Sequence, residues 1–148
     1  MDVFSQKNYF CTKPDKMIKI GVLGAGHLGK IHIKCIREIN EFEFTGFYDA
    51  DTKTASQVGK EFGIIHFPSI DELIDAVDVV DIVTPTISHF DCASRALKKA
   101  RHVFIEKPVV TTPEEARQLM VFAEEANVYR GAPPCAVQSK GNRCPGHP

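Results

Sequence analysis

A short apolar run, Ile18 to Leu23, passes directly into Gly24-Ala25-Gly26-His27-Leu28-Gly29, where an amphipathic helix begins. Strand, glycine turn and helix in that order constrain a chain more than any composition does. Gly24 allows the tight turn, Gly26 has no side chain to hold a pyrophosphate off the backbone, and Gly29 lets the new helix pack close against the strand. The backbone N–H groups of the helix start, those of His27 and Leu28 among them, lie at the positive end of the helix dipole. A glycine hexad alone also occurs in ordinary loops, so its setting decides. The next apolar run, Phe42 to Tyr48, ends in Asp49, about 20 residues beyond Gly29, where an acid is expected to hold adenine-ribose hydroxyls. Gly24, Gly26, His27, Leu28, Gly29 and Asp49 are therefore candidate dinucleotide contacts, while the rings of His27 and His32 are read as structural or exposed.

From Met17 to Val128 strands and helices alternate. Leu28, Ile31, Ile33, Cys35, Ile36 and Ile39 recur at roughly helical spacing, which predicts a helix over 27–40 with His32, Lys34, Arg37 and Glu38 on its wet side. A second helix is expected over 52–62, stopped by Gly63, and a third strand over 64–67. Ser69-Ile70-Asp71-Glu72 has the form of a capping box and opens a short helix to 76. Residues 77–84 are a nearly continuous apolar run, interrupted by Asp78 and Asp81, as in a parallel strand covered on both faces. A helix over 88–100, a strand over 102–105 and a helix over 112–127 follow, the last opened by Thr112-Pro113-Glu114-Glu115. Repeated β-α units with right-handed crossovers predict an α/β fold, a Rossmann-like doubly wound parallel sheet.

With 148 residues, 43% of them hydrophobic and 25% charged, the chain suffices for one domain with a proper core. The formal net charge of −1 gives no field for nucleic acid. Cys11, Cys35, Cys92, Cys135 and Cys144 contain no C-x-x-C pair and are odd in number, which favours free thiols and a reducing, cytoplasmic setting. No run reaches the length of a membrane span, and residues 1–16 lack a signal-peptide core. That segment reads either as a disordered extension or as sequence upstream of a natural start at Met17, the second being favoured. Residues 129–148 hold four prolines and three glycines but no acid, and read as a disordered tail foreign to the domain before it.

Asp49 at the carboxyl end of a strand would accept hydrogen bonds from both ribose hydroxyls and repel a 2′-phosphate, which favours NAD over NADP. Asp51 is near enough to share that role, and an aspartate here can also simply cap the next helix. Glu106-Lys107-Pro108 follows a strand that would end on the ligand side of the sheet. A lysine there can donate to a ribose or substrate hydroxyl, and proline stiffens the turn that presents it.

The glycine turn, Val83-Thr84-Pro85-Thr86-Ile87-Ser88-His89 and His102-Val103-Phe104-Ile105-Glu106-Lys107-Pro108 together resemble the amino-terminal half of the Gfo/Idh/MocA oxidoreductases. The resemblance covers about Met17 to Val128 and is greatest to members acting on sugars or nucleotide-sugars. It implies that Thr84, Pro85 and Thr86 line the nicotinamide side. Glu106 and Lys107 would contact the cofactor, with Lys107 also in the catalytic group. His89 would lie near the same cleft, either as a functional or as a packing histidine. The implied reaction passes hydride between nicotinamide and a sugar-like hydroxyl substrate. Family members continue into a second α/β domain that binds substrate, supplies the acid/base residues and forms the homo-oligomer interface. No match to that domain follows here, so a binding module without turnover is expected. The alternative is a non-catalytic, NAD-responsive regulator built on the same domain.

Overall fold

The computed structural model describes residues 17–126; the expectations for residues 1–16 and for the tail lie outside them. Four parallel strands form one sheet in the order β2-β1-β3-β4. They are β1 (Ile18–Leu23), β2 (Phe42–Tyr48), β3 (Val79–Ile82) and β4 (His102–Ile105). Between and after them run α1 (His27–Arg37), α2 (Thr52–Phe62), α3 (Ile70–Ala76), α4 (His89–Lys98) and α5 (Pro113–Ala126), with a 3₁₀ turn at Thr86–Ser88 leading into α4.

Alternation along the strands builds two cores. Ile20 and Val22 of β1 face Ile33 and Ile36 of α1 and Ala55 and Val58 of α2, with Phe47 of β2 between them. Leu23, Val80, Ile82 and Ile105 face the other way, onto Leu73 and Ile74 of α3, Ala93, Ala96 and Leu97 of α4, and Leu119 of α5. Each valine, leucine, isoleucine or phenylalanine side chain so withdrawn from water is worth roughly 1.5–3 kcal/mol. Helices thus cover both faces, and the fold is the expected doubly wound α/β sheet. Because β1 connects to β2 on one side while β3 lies on the other, the chain reverses direction across the sheet beside β1. The crevice at such a reversal, outside the carboxyl ends of the strands, is where ligands bind in open α/β sheets.

The local signals hold in detail. Gly63 closes α2 in the left-handed conformation, φ 61°. The Ser69 hydroxyl accepts from the Glu72 N–H at 3.2 Å, and Thr112 accepts from the Glu115 N–H at 3.2 Å while Glu115 accepts from Thr112 N–H.

Three expectations are corrected. Residues 64–67 form no strand but a single bridge, His66 opposite Phe47, closed by the Phe47 N–H to the Ile65 carbonyl at 3.0 Å and the Phe67 N–H to the Phe47 carbonyl at 2.8 Å. The strand expected over 77–84 is Val79–Ile82. The helix expected over 27–40 ends at Arg37, and its buried stripe is Gly29, Ile33 and Ile36. Leu28, Ile31 and Ile39 stand 40–45% exposed, since they lie off the stripe through Gly29, Ile33 and Ile36 that meets the sheet.

Candidate dinucleotide site at the carboxyl edge of the sheet

The four strands deliver their following loops to one edge. Gly24 leaves β1 with φ 93°, and a Cβ there would lie 2.8 Å from the Val83 carbonyl and 2.9 Å from the Thr84 nitrogen. The turn after β1 therefore lies against the chain leaving β3, at the reversal point. A Cβ on Gly29 would overlap the Gly24 carbonyl oxygen, so α1 starts closer to its own turn than any side chain permits. Gly26 differs from both: a Cβ there meets nothing within 4 Å. Its lack of a side chain is not required by the protein's own packing.

The start of α1 is open. Gly26 is its N-cap, no side chain caps it, and no acid occupies its first turn. By contrast Asp51 caps α2, Ser69 caps α3 and Thr112 caps α5. A helix leaves its first N–H groups without internal acceptors, and here they converge with the dipole on exposed Gly26, His27 and Leu28. That arrangement suits a phosphate.

Asp49, half-buried at the end of β2, accepts from the Ala25 N–H at 2.8 Å and, through its other oxygen, from the Asp51 N–H at 2.8 Å. The capping role belongs to Asp51, whose carboxylate accepts from Lys53 and Thr54 N–H and from the Thr54 hydroxyl. The Thr54 hydroxyl foremost, then the two amides, hold the Asp51 carboxyl below its ordinary value. Asp49 is left for the turn, and each of its oxygens keeps a further lone pair.

Thr84 is half-buried, and its hydroxyl oxygen is buried without a hydrogen-bond partner. Pro85 is exposed and Thr86 opens the 3₁₀ turn. His89 is 1% exposed. Its Nε2 lies 2.7 Å from the Thr84 carbonyl, and its Nδ1 lies 3.0 and 3.2 Å from the carbonyls of Pro108 and Val109. The ring ties the loop after β3 to the loop after β4, which is the packing role left open by the sequence. Glu106 is half-buried and accepts the Lys107 N–H at 3.1 Å; Lys107 itself is exposed.

The sequence reading missed His32. Far from the wet side, its Nδ1 lies 2.8 Å from Asp81 Oδ2 and its Nε2 lies 3.0 Å from Glu106 Oε1. Burial raises the Asp81 carboxyl above its ordinary value, and the His32 hydrogen bond works against that rise. The signal was present: His32 follows Gly29 by three residues and precedes Ile36 by four, on the stripe that meets the sheet.

Among the described residues, no group of acids, histidines and cysteines could hold a metal ion, and no helix is long and apolar enough to cross a membrane.

Residues 18–131 match a family model described as an oxidoreductase family with an NAD-binding Rossmann fold. UDP-N-acetylglucosamine 3-dehydrogenase of Acidithiobacillus ferrooxidans is 38% identical over 111 residues, which span 75% of this chain and 35% of that protein. Its crystal structure superposes with a TM-score of 0.72 at 37% identity, over 76% of this chain and 37% of the other. Glucose-6-phosphate 3-dehydrogenase of Bacillus subtilis is 37% identical over 112 residues, 76% of this chain and 32% of that protein. GenD2 from gentamicin A biosynthesis, crystallised in complex with NAD, gives a TM-score of 0.71 at 27% identity over 76% of this chain and 33% of its own. The chain spans about a third of the length of the curated relatives it matches.

Proposed function

We propose, for a chain that belongs to the Gfo/Idh/MocA oxidoreductase family and has its NAD(P)-binding Rossmann fold, that it binds NAD in preference to NADP. We propose further that it presents Lys107 to a sugar-like hydroxyl substrate. The observation that carries the reading is the junction of the uncapped α1 start with Asp49, which hydrogen-bonds to the amide of Ala25. The open space at Gly26 leaves the backbone there free to approach a pyrophosphate, while the remaining lone pairs of Asp49 suit the two adenine-ribose hydroxyls. A 2′-phosphate would bring negative charge against that carboxylate, and no compensating base is drawn to it among the described residues.

When bound, the nicotinamide supplies hydride transfer to or from a carbinol carbon. Lys107 donates to the substrate oxygen and polarises the hydroxyl. Thr84, Pro85 and Thr86 form the wall on the nicotinamide side, with Glu106 beside Lys107. The sugar or nucleotide-sugar class is supported by the relatives, whose names specify UDP-N-acetylglucosamine and glucose 6-phosphate.

Calorimetric titration of the purified chain tests the cofactor assignment. NAD is expected to bind more tightly than NADP, with Asp49→Ala weakening NAD and narrowing the gap. A wild-type preference for NADP would overturn the role given to Asp49.

A further inference from the structure

We propose that His32 is a positioning residue for the Glu106-Lys107 turn, acting through the Glu106 carboxylate and registering that turn to the phosphate-facing start of α1. The inference rests on the reading of Glu106 and Lys107 as cofactor contacts and adds to it the element that fixes where they stand.

Three elements meet at His32. The ring projects from α1, three residues after Gly29, so about 4.5 Å of rigid helix separates it from the glycine turn. Its Nδ1 is anchored at 2.8 Å by Asp81 in β3, 3% exposed and immobilised within the sheet. Its Nε2 reaches Glu106 Oε1 at 3.0 Å, just past the end of β4. The other oxygen of Glu106 accepts the Lys107 N–H at 3.1 Å. A continuous line therefore runs from Asp81 through the imidazole and Glu106 to the Lys107 backbone. The Phe104 ring lies beside the imidazole, centroids 6.2 Å apart and planes tilted by 56°.

The chemistry of the line is directional. Both ring nitrogens face carboxylates, and an imidazole that donates from both serves the two at once. Asp81 is held there at the expense of desolvation, and its Oδ1 is buried without a partner. An apolar residue would fill the same place without that cost, as Val79, its neighbour on the same sheet face, does. The arrangement is suited to aiming a carboxylate at the edge of the crevice, which apolar packing cannot do.

The test compares NAD with ADP, which has the adenine ribose and pyrophosphate but lacks the nicotinamide riboside, on the full chain by calorimetry. His32→Ala should weaken NAD about tenfold, the loss expected for a hydrogen bond to a charged group, and leave ADP nearly unchanged. His32→Gln, which keeps a donor for Glu106, should recover part of the loss and guards against a folding defect in the alanine variant. Equal weakening of ADP and NAD, or no change in either, would overturn the proposal. Amide NMR of the ligand-free chain decides the structural link independently: in His32→Ala the Lys107 amide resonance should move and lose exchange protection, and an unchanged Lys107 amide contradicts the link. Failure of the wild-type chain to bind either nucleotide would sink the dinucleotide reading, and the Lys107 amide would still report whether His32 holds the turn.

Discussion

The Asp49 carboxylate accepts a hydrogen bond from the Ala25 amide at 2.8 Å, across the gap between the second and first strands. The acid proposed to read the adenine ribose is thus also a strut of the glycine turn. Its other oxygen takes the Asp51 amide, so an asparagine side chain, with one acceptor oxygen, can keep only one of the two bonds. Asp49→Asn should lower stability by about 1 kcal/mol, read from a urea midpoint. It should also weaken the preference for NAD over NADP.

Gly29→Ala should be more damaging than a usual helix substitution, although alanine favours helix. Its methyl group would overlap the Gly24 carbonyl oxygen, and backbone cannot swing aside as a side chain can. A loss on the order of 1–3 kcal/mol is expected from such overpacking. Chemical denaturation showing Gly29→Ala as stable as wild type would mean that α1 does not start against the turn.

His89→Phe should loosen two loops together. The ring nitrogens face three carbonyl oxygens, of Thr84, Pro108 and Val109, and a phenyl ring leaves them without a donor. An acceptor shielded from water and left unpaired costs roughly 1–3 kcal/mol, so the variant should be less stable than wild type. Hydrogen exchange should quicken at both the Thr84 and the Lys107–Val110 segments; quickening at one alone would separate the loops.

Acid should weaken the cap of α5 before it weakens the core. The Thr111 hydroxyl, then the Thr111 and Thr112 amides, hold the Glu115 carboxyl below its ordinary value of 4.5. A carboxyl with a lowered folded-state value stabilises above its unfolded value and loses that contribution as pH falls through the folded one. Glu115→Gln should therefore melt below wild type at pH 7, and the difference should shrink as pH drops below 4.5. A difference that stays constant into acid would show that the charge of Glu115 plays no part.

The glycine turn, the Gly63 stop and the capping boxes at Ser69 and Thr112 were legible because each is written within a few consecutive residues and needs no distant partner. Asp49 was legible by its interval from the turn, though its bond to Ala25 was not. His32 was read as wet-side or structural, and its structural partners Asp81 and Glu106 were not legible, since they are brought to it only by the pairing of β1 with β3 and β3 with β4. The expected strand over 64–67 failed for a similar reason. Its apolar pattern is real, but Ile65 is 64% exposed and the segment pairs with β2 through a single bridge.

The central claim is that backbone at the start of α1 receives a pyrophosphate, and Gly26→Val tests it most directly. A Cβ on Gly26 meets nothing within 4 Å, so a valine side chain should leave the domain folded, at a cost of about 1 kcal/mol for the poorer helix cap, while filling the place of the ligand. Titration with NAD should then show binding by wild type and none by a folded Gly26→Val chain. Unchanged NAD affinity in that variant would contradict the claim.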